Sequence, residues 1–166
     1  MHDGLLADDV SPAIGDILVD SSVAIKRNIA NTLFVMAVSG STNQSAIGIY
    51  AGDRESAYVP VSARLDKVPT GIDDNSLPER DPTYDSVFTD RKTVVVNSLG
   101  EGQVNVCGQG GDIAASDLIV TSSTAGKGMK QSSNDIKSIS VCKAREAITF
   151  AQASDTGQIA CIYLCG

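Results

Sequence analysis

The sequence is poor in the side chains on which most enzyme sites depend. Its 166 residues include one histidine, His2, no tryptophan, and 4% aromatic residues. A Ser-His-Asp triad needs an imidazole to take the proton of the serine hydroxyl, and this imidazole lies at a terminus that we expect to fray. Ser122 or Ser123 with Lys127 is the other nucleophile-base pair, but nothing in this small-residue stretch indicates a buried lysine. We expect no enzyme activity and no catalytic residue.

A basic face and long apolar runs are also missing. The net charge is -7 at pH 7 and no Lys/Arg cluster is present, whereas a nucleic-acid-binding protein needs a basic surface for the phosphates. No apolar run approaches the roughly 20 residues that span a bilayer. The segment Met1–Asp9 carries acids where a signal peptide has basic residues. The sequence predicts a soluble protein that binds neither nucleic acid nor a membrane.

The cysteines lack the spacing of a metal site. None of them forms a Cys-x-x-Cys pair or has a histidine nearby in sequence, which argues against zinc. Their even number allows two disulfides, but each lies in an apolar, strand-like run, where a free thiol behaves as a small hydrophobe. We therefore expect buried thiols at all four positions: Cys107, Cys142, Cys161 and Cys165.

Two glycine-containing stretches resemble ligand sites only in part. In "DLIVTSSTAGKGMKQ", residues 117–131, Gly128 stands where a P-loop needs Ser or Thr, and Thr121 stands where it needs its first glycine. We interpret this stretch as a hairpin with solvated Lys127 and Lys130. "GQGGD", residues 108–112, lacks the third glycine of a dinucleotide loop and is also predicted to be a hairpin turn.

An acidic group in the middle of the chain has neither the ligand order nor the glycine of an EF-hand. We interpret it as surface acids and predict no metal and no cofactor. Its members are Asp73, Asp74, Asn75, Glu79 and Asp81.

Short runs rich in Val, Ile, Thr and Tyr recur between Gly, Asn, Asp and Ser clusters, which is typical of an all-β protein. Helical candidates are limited to 23–31 and a turn at 144–147. We predict an antiparallel β-sandwich or barrel-like fold with little helix, as a single domain over residues 1–166. The predicted strands are 16–19, 33–38, 46–50, 57–62, 93–97, 103–107, 117–121, 136–143, 147–151 and 158–164.

The segment 53–92 differs from the rest of the chain. It contains 15 charged residues and four of the five prolines, and prolines lack the amide that a central strand must donate. We predict a long proline-rich excursion from the β core, either an arm that reaches a partner or a mobile solvated loop. Interfaces draw much of their energy from a few aromatic, apolar and arginine side chains. The predicted partner-binding residues are Arg80, Tyr84, Val87, Phe88 and Arg91.

Residues 96–146 resemble a β-domain at the ends of phage neck-appendage and tail-fibre proteins, where it is an intramolecular chaperone for trimer assembly. The matching features are Asn97–Gly102, Gly111–Ile113, Asp117–Ile119, Gly126–Gln131 and Val141–Ala144. The final Gly-x-Ile-x-x-Ile-x-Leu strand, 157–164, is similar to small phage capsid decoration proteins. Because the sequence has no collagen-like or coiled-coil repeat, a complete fibre is disfavoured. No nucleophile-base pair matches the self-cleavage of some chaperone relatives.

These resemblances imply a virion structural protein of a tailed phage. The favoured expectation is a capsid decoration, or cement, protein that forms a homotrimer and binds the major capsid protein on the capsid surface after synthesis in the host cytoplasm. The alternative is a trimeric tail-fibre or neck-appendage domain that assists assembly or contacts the host.

Overall fold

The computed structural model describes residues 2–26, 32–54 and 88–165. This part of the chain is all-β, as predicted, and Gly108–Gly110 adds one turn of 3-10 helix. The ten strands are β1 His2–Ala7, β2 Ile17–Lys26, β3 Thr32–Val38, β4 Ala46–Asp53, β5 Arg91–Asn97, β6 Leu99–Cys107, β7 Leu118–Thr121, β8 Gly128–Lys130, β9 Cys142–Ala144 and β10 Thr156–Leu164.

The strands form two closed barrels of five strands each, so the barrel rather than the sandwich is the observed form. The first barrel has the order β1-β3-β2-β4-β5, and the second, written from its first strand, has the order β6-β8-β7-β9-β10. In each barrel the first and third strands along the chain pair in parallel, and the other pairs are antiparallel. The chain therefore contains the same topology twice.

The turn that enters the second strand of each barrel shows this repeat in atomic detail. "GDILVDSS" begins at Gly15 and "SDLIVTSS" at Ser116, and both of these residues have positive φ, 98° and 80°. The carboxylate of Asp16 accepts a hydrogen bond from the amide three residues before it, at 3.0 Å. Asp117 does the same at 2.8 Å. The same kind of aspartate turn therefore precedes the second strand of each barrel, β2 and β7.

The two barrels share a hydrophobic core. Ile17 and Leu18 are neighbours in β2 and point to opposite faces, yet both are fully buried. Leu18 packs inside the first barrel, whereas Ile17 and Ile49 belong to the cluster that fills the second barrel, together with Val104. A strand that is apolar on both faces is covered on both faces. The second barrel supplies the outer cover of β2.

Backbone hydrogen bonds join the barrels beside this core. Gly126, in the turn between β7 and β8, accepts from the Ile17 amide at 2.9 Å and donates to the Ser39 carbonyl at 2.8 Å. The backbone amide of Asn105 donates to the Gly15 carbonyl at 2.9 Å. We call the contact made by these residues the barrel junction. Because its polar backbone groups are paired, the two barrels bury this boundary without leaving amides unsatisfied.

Several predicted elements need correction. The helical candidate 23–31 is wrong for Val23–Lys26, which continue β2 because they pair with β3. Predicted strands 136–143 and 147–151 reduce to β9 and to an isolated bridge between Ile148 and Ile113. "GQGGD" is not a hairpin turn, because β6 pairs with β8 and β10 rather than with β7. The short strands β1 and β8 were not predicted.

The predicted bounds of the proline-rich excursion, 53–92, overlap two strands. Asp53 is the last residue of β4, and Arg91 and Lys92 begin β5. These two strands pair with each other in antiparallel fashion. Residues 55–87, which include the predicted strand 57–62, lie outside the described residues, so the excursion itself stays a prediction.

The shared core predicts a strong effect of Ile17→Ala on both barrels. The substitution removes a fully buried side chain at the barrel junction and should lower the free energy of unfolding by about 2–5 kcal/mol. Ile14→Ala is the matched control, because the Ile14 side chain is 67% exposed, and it should cost less than about 0.5 kcal/mol. Urea titration followed by circular dichroism measures both values. Equal effects of the two substitutions would contradict a shared core.

Candidate interaction surface

Two of the predicted partner-binding residues are described, and they lie in the first barrel at or just before the start of β5. Phe88 packs against the fully buried Leu5, and Arg91 pairs with Ala7 in the ladder between β1 and β5. Both also make further contacts within the chain. Arg80, Tyr84 and Val87 lie outside the described residues, as does the acidic group of residues 73–81. Phe88 and Arg91 both lie beside β1, and their role in binding stays a prediction.

The "DLIVTSSTAGKGMKQ" stretch is a hairpin, as predicted. β7 and β8 pair through Val120 and Met129, and the Ser122 hydroxyl donates to the Lys127 carbonyl at 2.8 Å. The prediction of solvated lysines is wrong for Lys127 but not for Lys130, whose side chain is 38% exposed. Lys127 binds Asp16 at 2.5 Å with 20% of its side chain exposed.

Lys130 likewise pairs with Asp117, at 2.8 Å. Burial alone would raise the pKa of Asp117, but the Lys130 ammonium and the Ala114 amide bind its carboxylate and bring the pKa below its usual value. The pair borders a polar cavity of about 540 Å³. The lining residues are Asn43, Gln109, Gly110, Asp117, Val120, Met129, Lys130, Gln131, Ser132 and Asn134. Amide and hydroxyl side chains line this cavity, beside the Lys130–Asp117 ion pair, whose opposite charges compensate each other.

The four cysteines are free, buried thiols, as predicted. Cys165 donates to the Val141 carbonyl at 3.0 Å, and burial raises its pKa to about 12. A hydrogen bond with Cys161, together with burial, raises the pKa of Cys142 well above its usual value. The thiolate is the reactive form of cysteine, so the raised pKa makes Cys142 and Cys165 unreactive. Both are, together with Cys161, core residues of the second barrel.

The outer face of the second barrel carries apolar side chains that are exposed or partly exposed in the described structure. Ile159 and Tyr163 point into the barrel, whereas Ile162 points outward and is 39% exposed. Leu164 lies opposite Leu99 in the adjacent β6, and Leu99 is 72% exposed. Residues directly opposite each other in an antiparallel pair share one face of the sheet. We call Leu99, Ile162 and Leu164 the outer apolar strip.

Charged residues border this strip. Ile162 lies between Glu101 on β6 and Lys143 on β9, and Arg145 forms an ion pair with Glu101. A shallow cavity of about 280 Å³ opens beside Ile162, lined by Ala115, Ser116, Lys143, Ala144, Arg145 and Ile162. An apolar centre with a charged rim that contains arginine is the usual anatomy of a protein-protein contact. The strip is therefore a candidate interaction surface.

This surface was not predicted, although the sequence contains a signal for it. "IACIYL", residues 159–164, is apolar at both odd and even positions. Such a run predicts a strand covered on both faces, not one face in water. In the structure the inner face is buried, whereas Ile162 on the outer face is 39% exposed.

The sequence matches no protein-family model and no curated protein. Within residues 2–26, 32–54 and 88–165, no group of three or more His, Cys, Asp or Glu side chains is arranged to hold a metal ion. In the same ranges, no helix combines the length and the apolar character needed to span a membrane.

Burial of the thiols predicts that a thiol reagent will not modify the folded chain. Ellman's reagent in mildly alkaline buffer should titrate none of the thiols of the native protein, and all four in guanidinium without a reductant. Leu99→Cys is the positive control, since position 99 is exposed and should add one rapidly reacting thiol. Reaction of a native thiol, or fewer than four in guanidinium, would contradict the buried, reduced state.

Proposed function

We propose that this chain is a virion structural protein of a tailed phage that decorates the capsid. It binds the assembled lattice of the major capsid protein, associates with copies of itself as a homotrimer, and resides on the capsid surface. The outer apolar strip is the observation that carries the proposal, because its exposed Leu99 and Ile162 need a partner surface to remove them from water. The resemblance of the strand 157–164 to capsid decoration proteins supports the same role.

The protein acts by binding and converts no substrate. A subunit that binds only the assembled lattice stabilises it by mass action, by roughly 2.7 kcal/mol per site when its free concentration is a hundredfold above Kd. The lattice repeats this site many times, so the summed effect on the shell is large. Neither a cofactor nor a metal takes part in this mechanism.

In this contact, the apolar strip forms the dry centre and the charges around it form the rim. Glu101, Lys143 and Arg145 select a partner surface by charge complementarity and set the rate of encounter more than the affinity. The net charge of -7 favours a basic partner surface. The predicted partner-binding residues Arg80, Tyr84, Val87, Phe88 and Arg91 provide a second contact from the first barrel and its excursion.

A tail-fibre or neck-appendage role is the second candidate. The resembling stretch 96–146 contains β6, β7, β8 and β9, four of the five strands of the second barrel. In that role the second barrel assists trimer assembly or contacts the host. Gold-labelling of virions separates the two roles, because label appears over the capsid in one and at the tail in the other.

Ile162→Asp should weaken binding to shells assembled from the major capsid protein of the same virus. A carboxylate placed at the centre of an apolar contact must be desolvated without a partner. We expect the dissociation constant to rise at least tenfold, which corresponds to about 1.4 kcal/mol. Co-sedimentation with the shells measures it, and light scattering measures self-association of the same variant.

Ile14→Asp is the matched control. Its side chain is even more exposed, 67% against 39% for Ile162, but it lies near Asn105 and Gln158, at the other end of the β6–β10 ladder from Leu99 and Leu164. This variant should bind the shells like the unmodified chain. Deleting residues 70–90 tests the excursion separately. Undiminished binding by both Ile162→Asp and the deletion would reject the proposed contacts, and a wild-type chain that ignores the shells would reject the function.

A further inference from the structure

A lysine, an aspartate and an asparagine meet at the barrel junction. One carboxylate oxygen of Asp16 lies 2.5 Å from the Lys127 ammonium and 2.7 Å from the side-chain amide nitrogen of Asn105. Asp16 is 6% exposed and Asn105 is 8% exposed. An amine and a carboxamide are thus held against the same acid in a site from which water is largely excluded.

Two glycines let the backbone close over this group. A Cβ on Gly126 would lie 2.6 Å from the Asp16 carboxyl carbon, and a Cβ on Gly15 would lie 2.8 Å from the Asn105 amide oxygen. Both have positive φ, 72° and 98°, a conformation that favours glycine. The junction is therefore built tightly around the three side chains.

The Asn105 amide is oriented and polarised. Its nitrogen also donates to the Ile14 carbonyl at 3.1 Å, and its oxygen accepts from the Gln158 side-chain amide at 3.0 Å. Donation to the carbonyl oxygen stabilises the negative charge that develops there when a nucleophile attacks the amide carbon. The carbonyl carbon is thereby the electrophile of the group, and the Lys127 amine is the nucleophile.

We propose that Lys127 and Asn105 form an intramolecular amide bond, with Asp16 as the proton carrier. In the first step of this proposal, the Lys127 ammonium passes a proton to the Asp16 carboxylate, which it contacts at 2.5 Å. The neutral amine attacks the Asn105 side-chain carbon, and the new C–N bond forms. Asp16 then delivers the proton to the amide nitrogen, the old C–N bond breaks, and ammonia leaves. Released ammonia takes up the remaining proton, so the Asp16 carboxylate is regenerated and no other reactant is needed.

Proximity of the two reacting groups raises the rate of this step. Lys127 and Asn105 both contact the same oxygen of Asp16, and well-oriented reacting groups can reach an effective concentration of about 10⁵ M or more. Because the bond joins the β7–β8 turn to β6, it fixes the hairpin that holds the first barrel. The inference does not depend on the proposed role in a virion.

The repeated turn of the second barrel provides an internal comparison. Asp117 pairs with Lys130 at 2.8 Å, as Asp16 pairs with Lys127. The hydrogen bonds to the Asp117 carboxylate come from Lys130 and the Ala114 amide, and no carboxamide side chain shares it among the described residues. The second pair therefore has a nucleophile and an acid without an electrophile.

Intact-mass measurement of the full chain tests the proposal. The protein is folded, incubated at neutral pH, denatured and weighed, and its mass should be lower than the sequence mass by one ammonia. Digestion should yield a branched peptide that joins the segments containing Asn105 and Lys127. Lys127→Arg retains a cation beside Asp16 but cannot react in this way, and it should show the full mass.

Lys130→Arg is the matched control and should still lose one ammonia. Circular dichroism confirms that each variant folds. A wild-type chain of full sequence mass overturns the proposal whether or not the variants fold. Loss of water with a Lys127–Asp16 branch, or loss of ammonia without any branched peptide, also overturns it.

Discussion

The structure depends on the burial of β2 between two barrels. Ile17 and Leu18 follow one another in sequence, are fully buried on opposite faces, and so tie the core of one barrel to the core of the other. A domain of about 60 residues buries only about 60% of the surface of its unfolded chain and is marginally stable. Each barrel is of that order, so the shared cluster and the hydrogen bonds of Gly126 stabilise both. Polar partners for Asp16 keep this boundary free of an unpaired charge.

The repeated topology explains why the junction is asymmetric. In both barrels an aspartate turn precedes the second strand. The lysine that forms an ion pair with Asp16 belongs to the other barrel, whereas the lysine paired with Asp117 lies on the next strand of the same barrel. The first turn is therefore covered by a neighbour, whereas the second borders an open polar cavity. The two barrels thus share one topology, but one aspartate turn is covered by the other barrel and the other turn faces solvent. The outer apolar strip lies on the second barrel, at the end of the β6–β10 ladder opposite to Asn105 and Gln158, which contact the first barrel.

The sequence pattern predicted the long strands that are rich in β-branched residues, among them β3, β4, β6 and β10. Runs of Val, Ile and Tyr between turn residues are specific to strands. The pattern failed where pairing outweighs propensity: β8 is three residues long, and Val23–Lys26 are strand only because β3 lies beside them. The lysine contacts were missed since Lys127 and Asp16 are 111 positions apart, and spacing carries no signal over that distance. The repeated "GDILVDSS" and "SDLIVTSS" and the two-faced apolar run of β10 were readable signals.

A binding protein of this kind needs its contact surface fixed before it meets a partner, since ordering it on binding would subtract from the affinity. The barrel junction meets this need if the two barrels unfold as one unit. Native-state hydrogen exchange measures this most directly. The amides of Ile17, Asn105 and Gly126 should exchange only through global opening, with the same free energy as amides inside β6 and β7. Faster exchange at the junction, with both barrels still protected, would show two independent domains and contradict the account.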